Sequence, residues 1–319
     1  MKIKFWRRGE NAFSRFPLGV YLLLLITVAA FFLSTGGIVG PRHLINVIRQ
    51  TAPLGLVSIG QTLVLLMGGI DLSVGAVISL VNIVSAATMA GSGANIPAAV
   101  ALSLGLALLV GLTNGLIIVR FNMPPFLVTM AMATIVQGAF FIYTKGSPRG
   151  SIAAEFRFIS DGWIAGIIPV ALLVWAAVWA VCSMVLQKTP FGKQYYFTGA
   201  NARAAYLSGI HTRGITVSAY VLCSLMAGLA GLIVSAFIGV ASSGVGAPYT
   251  TNSIAATVIG GTSFAGGVGS LEGTFPGVLI LSFLQSILTM LNVPEAGKNI
   301  SQGLIIIIMV AFNVRKFRK

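Results

Sequence analysis

The sequence predicts an all-α, polytopic membrane protein with about ten transmembrane helices, and three observations carry that prediction. Of 319 residues, 56% are hydrophobic and only 8% charged, against roughly 45–50% apolar and about 25% charged in soluble domains. Mean hydropathy is +0.96. The apolar residues fall in long runs, and a bilayer core about 30 Å thick takes about 20 helical residues per crossing. Such a chain holds many spans and little else. The formal charge of +14 gathers at both chain ends and in one central stretch, which is how loop charges are distributed in a membrane protein and excludes a nucleic-acid role.

In chain order the runs lie at 17–35, 44–67, 72–91, 96–119, 124–144, 166–187, 214–239, 274–292 and 299–314. A shorter Gly-rich run at 253–264 is expected to cross as a short or broken helix. The first run follows a basic start, MKIKFWRR, without a small-x-small cleavage pattern after it, so it reads as an uncleaved span. The division is then a cytoplasmic segment at 1–16, one transmembrane domain at 17–314 and a basic cytoplasmic tail at 315–319. With ten crossings and a cytoplasmic N-terminus, fourteen of the twenty Lys and Arg lie inside and six outside. That is the positive-inside asymmetry. Eight crossings with two re-entrant segments also keep both ends inside.

The longest external connection, 145–165, carries Glu155, Asp161 and Trp163 and offers a surface to an external partner. The longest internal one is 188–213. There Gly199, Ala200, Asn201, Ala204, Ala205, Gly209 and Ile210 read as a short helix of small residues ended by glycine, suited to close docking. Tyr195, Tyr196 and Arg203 are expected at headgroup level.

Two interruptions carry the functional signal. In MGGIDLSVGA, residues 67–76, Asp71 follows Gly68 and Gly69 between two apolar runs. A charge at a helix centre costs about 2.5–3.5 kcal/mol, so Asp71 needs a partner, water or a helix terminus. The glycine pair is expected to break the helix near the cytoplasmic surface, with Asp71, or alternatively Ser73, capping the next one. A place in a solute pathway is compatible with that cap.

The second interruption, GGTSFAGGVGSLEG at 260–273, holds Gly260, Gly261, Thr262 and Ser263. It lacks the Lys of a nucleotide-binding loop. It reads either as close packing or as an element that shifts between two arrangements during transport. Glu272 is expected to cap the following helix. Gln61, Thr62, Asn114, Thr129, Gln137 and Gln285 supply hydrogen-bonding groups for a neutral solute or for interhelical contacts. Cys182 and Cys223 read as packing residues, and His43 and His211 stand too far apart in the sequence to indicate a metal pair.

Four stretches, GQTLVLLMGGIDLSVGA (60–76), MPPFLVTM (123–130), TPFGKQYYFTGANARAAYLSGI (189–210) and SIAATVIGGTSFAGGVGSLEGTFPGVLI (253–280), resemble in this order the permease subunits of ribose-type bacterial ABC importers. The resemblance covers about residues 40–315. It implies a non-enzymatic subunit of the bacterial cytoplasmic membrane, with both termini cytoplasmic. The subunit pairs with a second copy or a paralogue, contacts membrane lipid, docks an ATPase that consumes the ATP, and is fed by a periplasmic solute-binding protein. No cofactor, metal or nucleic acid is expected on this chain. The resemblance assigns ATPase contact to Thr198, Gly199, Asn201, Ala204, Ala205, Gly209 and Ile210. The candidate pathway or gating residues are Gln61, Gly68, Gly69, Asp71, Ser73, Thr129, Gln137, Asn252, Gly260, Gly261, Thr262 and Ser263.

The chain departs from the family pattern in places. Thr250 and Asn252 stand where an acidic pair is common, and Gln137 with Gly138 where an Arg-Gly pair is common. Only six acids occur in all. The expected solute is a monosaccharide. A nucleoside or small signalling molecule, an ion-coupled transporter using Asp71, and a non-transporting scaffold are the alternatives.

Overall fold

The computed structural model describes residues 17–34 and 40–317. The expected segment at 1–16 and residues 318–319 of the tail lie outside the described residues. The architecture is a helical bundle: α1 (Leu18–Ser34), α2 (Pro41–Leu66), α3 (Val74–Met89), α4 (Ile96–Phe121), α5 (Pro125–Thr144), a single turn α6 (Phe158–Asp161), α7 (Val170–Lys188), α8 (Pro190–Ala200), α9 (Ala202–Leu207), α10 (Thr212–Ile238), α11 (Ala247–Ile259), α12 (Leu271–Met290) and α13 (Glu295–Phe317). A two-stranded ribbon, β1 (Trp163–Ile164) paired antiparallel with β2 (Ile168–Pro169), is a small addition to the all-α expectation.

Each expected apolar run is a helix. Proline sits in the first turn of α2, α4, α5, α8 and α11, where its missing N–H has no intrahelical partner to lose. Left-handed residues close α3, α4, α5 and α10 at Ala90, Asn122, Lys145 and Gly239. The run expected at 253–264 is corrected to 247–259: Pro248 starts that helix earlier, and Gly260 with Gly261 at φ +90° ends it.

Among the described residues, five helical stretches, Gly93–Phe121, Pro125–Thr144, Val170–Lys188, Thr212–Ile238 and Leu271–Met290, are long and apolar enough to cross a membrane, and α1 and α3 are shorter apolar helices. α2 has the length but not the hydropathy, because it carries Thr51, Ser58, Gln61 and Thr62, all buried. Every residue from Thr51 to Leu66 is buried. The more polar helix is therefore the central one, shielded by α7, α10, α11 and α12, as expected when polar groups are kept from lipid.

α10 lies against α2, α3 and α4 through small residues. A Cβ on Gly60 would stand 2.6 Å from Cα of Cys223, and one on Gly115 2.8 Å from Cα of Val217. This backbone-to-backbone approach is the packing mode of helices in lipid, and it bears out packing for the buried Cys223.

Between α10 and α11 the chain is irregular, and its backbone polar groups must be satisfied by protein. Asn82 of α3 does so: its Oδ1 accepts from the Ser242 N–H at 2.7 Å, and its Nδ2 donates to the Val240 carbonyl and to Ser235 Oγ, each at 3.2 Å. Ser79 Oγ accepts from the Gly246 N–H at 3.1 Å. The 145–169 connection folds onto the same end, with Ile152 N–H donating to the Gly239 carbonyl at 2.9 Å and Arg49 pairing with Asp161 at 3.6 Å. The opposite end carries α8, α9, the end of α2 and the start of α12.

Candidate functional site

The first interruption begins with a Schellman closure of α2. Gly68, at φ +74°, donates to the Leu65 carbonyl at 2.8 Å, and Gly69 donates to the Val64 carbonyl at 3.0 Å. Only glycine enters that left-handed position without strain. Gly69 is required for a different reason, since a Cβ there would lie 2.2 Å from the Tyr220 hydroxyl oxygen.

The chain then runs back alongside α2 in non-helical form to the start of α3. Its backbone is clipped from two sides. With its side-chain amide turned to suit both partners, Gln61 pairs with the Asp71 backbone, Nε2 donating to the carbonyl and Oε1 accepting from the N–H, each at 3.3 Å. From α5, Thr129 Oγ1 accepts from the Leu72 N–H at 3.1 Å and lies 3.2 Å from the Ile70 carbonyl. Two side chains thus take the place of neighbouring β-strands, which buried backbone otherwise needs.

Asp71 is fully buried, and its geometry corrects the expected cap. Its Oδ1 accepts from the Ser73 N–H at 2.8 Å and from Ser73 Oγ at 2.6 Å. Asn114 Nδ2 of α4 donates to Ser73 Oγ at 3.0 Å. α3 starts at Val74, and neither Asp71 nor Ser73 makes a side-chain bond to its first-turn N–H groups. The carboxylate fixes the approach to the helix instead of its end. Nor is it at the surface, because the returning chain carries it inward to the level of Gln61.

The second interruption meets the first. Gly267 N–H donates to the Leu66 carbonyl at 2.8 Å, joining the loop after α11 to the last residue of α2. Gly199 of α8 packs on the same carbonyl: a Cβ there would lie 1.7 Å from the Leu66 oxygen and 2.8 Å from the Gly267 nitrogen. A Cβ on Gly266 would lie 2.8 Å from the Gly199 carbonyl oxygen and 2.9 Å from the Gly68 nitrogen. Backbone from α8 and from both glycine elements therefore converges within van der Waals distance. Within the second element, Ser263 Oγ accepts from the Ala265 N–H at 3.2 Å, while Gly260 packs backbone to backbone on Gly273 of α12. Ser270, not Glu272, caps α12, accepting from the Gly273 N–H at 3.1 Å. Glu272 sits in the first turn and accepts from the Ser183 hydroxyl.

The 188–213 connection is two helices, with Asn201 capping the second through the Ala204 N–H at 3.0 Å. Burial divides the seven residues assigned to ATPase contact. Asn201, Ala204 and Gly209 are exposed, with Ile210 partly so; Thr198 and Ala205 are buried, and Gly199 faces Leu66. An outward face thus consists of α9 and its flanks, bordered by exposed Tyr206 and Leu207. The headgroup placement of Tyr195 is corrected: it is buried, with its hydroxyl 2.7 Å from Ser218 Oγ, and burial pushes its phenol up to about 12. The Tyr196 hydroxyl donates to the Gly269 carbonyl at 3.1 Å, so both rings tie α8 to the bundle.

The structure unites Gln61, Gly68, Gly69, Asp71, Ser73 and Thr129 in one cluster and Gly260, Gly261, Thr262 and Ser263 in a second. Gln137 belongs to neither, standing exposed on α5. Asn252 lies apart, against α12 and α13. Sequence reasoning missed Asn82 and Tyr220. A lone Asn inside an apolar run was the available signal for the first; Tyr220 gave none.

A bundle of apolar helices wrapped around a more polar central one, interrupted twice at glycines that meet the basic 188–213 connection, is the architecture of a multi-pass membrane protein. The chain is a permease of a transport system and not itself an enzyme, as its family shows. It belongs to the family described as branched-chain amino acid transport system / permease component, whose model matches residues 43–311. It is similar to the ribose import permease protein of Bacillus subtilis, 36% identical over 304 residues, covering 94% of this chain and 93% of that one. It is 33% identical over 299 residues to the ribose import permease protein of Escherichia coli K12, covering 92% of each. The galactose/methyl galactoside import permease protein of Treponema pallidum is 30% identical over 334 residues, 95% of this chain and 62% of that one. No solved structure matches the chain.

Proposed function

We propose that this chain moves a monosaccharide inward across the bacterial cytoplasmic membrane by alternating access, powered by an ATPase docked on the α9 face. Ten helices cross, both termini are cytoplasmic, and the end bearing α8 and α9 is the inner one. ATP is consumed on the partner, and this chain binds no cofactor. A periplasmic binding protein delivers the sugar to the opposite end, and a second permease copy or a paralogue completes the pathway within the lipid.

The observation that carries this reading is the convergence of Gly199, Leu66 and Gly267. It gives a motion imposed on α8 and α9 a direct backbone route to both interruptions, and paired interruptions mark the working centre of a transporter. The solute class rests on likeness to permeases named for ribose and galactose.

Ala204, exposed on α9, tests the docking. An uncompensated charge desolvated at an interface costs about 3–5 kcal/mol, so Ala204→Arg is expected to abolish co-purification of the ATPase and reduce uptake at least tenfold, with the membrane level of the permease unchanged. Unaltered co-purification and uptake would refute the assignment.

A further inference from the structure

Away from both glycine elements, α11, α12 and α13 line a partly open cavity of about 150 Å³. Its walls include Asn252 on α11, Gln285 and Thr289 on α12, and Glu295, Lys298 and Gln302 on α13. Thr289, Glu295 and Asn299 stand exposed at the end of the bundle, where polar residues are ordinary. Two buried groups matter most. Asn252 is 9% exposed and Gln302 8%, and among the described residues neither Asn252 Oδ1 nor Gln302 Nε2 has a hydrogen-bond partner. One is an acceptor and the other a donor, on helices facing each other across the cavity.

We propose that this cavity is a binding subsite for a small uncharged polyol, with Asn252 Oδ1 accepting from one hydroxyl and Gln302 Nε2 donating to another. A hydroxyl both donates and accepts, so a sugar satisfies the two orphaned groups together. The charges argue for a neutral solute, because Lys298 and Glu295 pair with each other at 3.5 Å. The size argues for a small one: pockets for drug-sized ligands run to about 300–1,000 Å³, at least twice this volume, which favours a monosaccharide over the larger nucleoside. The cavity lies at the end of the bundle that carries the α12–α13 connection, opposite α8 and α9. The inference rests on the monosaccharide reading above and narrows it to a place.

The test uses the complete importer, permease with ATPase and binding protein, in nanodiscs. The cavity residue Thr289 is replaced by cysteine in a Cys182→Ser background, and the remaining thiol, Cys223, is buried. Labelling of Thr289→Cys by a small thiol reagent is followed with D-ribose, D-galactose or adenosine present at high millimolar concentration. Either sugar is expected to slow labelling several-fold while adenosine leaves it unchanged, and adding Asn252→Leu or Gln302→Met should remove the protection. If the same complex imports a sugar that gives no protection, or if Asn252→Leu and Gln302→Met leave protection intact, the subsite is overturned while the transport reading stands. Protection by adenosine and not by sugars overturns the size argument and with it the subsite. A complex that imports neither sugar overturns the monosaccharide reading instead.

Discussion

Gly199→Ala is expected to leave the ATPase bound and hydrolysing ATP while sugar uptake falls by one to two orders of magnitude. The added methyl would stand 1.7 Å from the Leu66 carbonyl oxygen and 2.8 Å from the Gly267 nitrogen, all backbone that no side-chain rotation can clear. Either α8 withdraws or the Leu66–Gly267 junction, closed by a hydrogen bond of 2.8 Å, gives way, and both outcomes part the three backbones. Overpacking of this kind costs about 1–3 kcal/mol, and a bias of that size on a two-state gate corresponds to roughly a 5–150-fold change. The comparison is Gly138→Ala on α5, where nothing lies within 4 Å of the added atom. That variant should transport normally. Uptake by Gly199→Ala within twofold of wild type, measured alongside ATPase activity in proteoliposomes, would show that the junction does not transmit the motion.

Asp71→Ala is expected to lower uptake at least tenfold with little loss of inserted, folded protein. Two opposing effects meet at this position. Removing the carboxylate leaves the Ser73 N–H and hydroxyl without the acceptor that they hold at 2.8 and 2.6 Å, at about 1–3 kcal/mol for each unmade bond. It also removes a fully buried carboxylate, whose desolvation opposes folding. Stability therefore changes modestly. The shape of residues 70–73 is expected to change more, because the bonds lost at Ser73 hold the approach to α3 beside the Gln61 and Thr129 contacts. Asp71→Asn keeps an acceptor oxygen and should recover part of the uptake. Parallel loss of folded protein and of uptake, followed by membrane immunodetection and labelled sugar, would leave Asp71 a purely structural residue.

Much of the fold is legible in the sequence because hydropathy averaged over a window reports which residues leave water, and glycine and proline report where helices stop. The runs at 96–119 and 124–144 became helices at Ile96–Phe121 and Pro125–Thr144. Both glycine interruptions were likewise visible as breaks. The site is less legible because its contacts join residues far apart in sequence. Nothing local to Gly199 tells that it rests on Leu66, and nothing in the IDLSV stretch tells that Gln61 turns back to pair with Asp71. The cap expected of Asp71 failed on a local ambiguity: an acid after a glycine pair can bond the first turn of a helix or the residue before it, and here Ser73 occupies the place between. Tyr195 misled in a similar way, since an aromatic in a basic loop reads as a headgroup anchor until Ser218 is seen to receive it.

Solute accumulation in proteoliposomes, with and without the partner ATPase, tests most directly whether this chain is a gate moved from outside. The account predicts that the permease with binding protein alone hydrolyses no ATP and accumulates no sugar, and that adding the ATPase and ATP produces accumulation. Accumulation driven by an ion gradient in the absence of the ATPase, or nucleotide turnover by the permease alone, would contradict it.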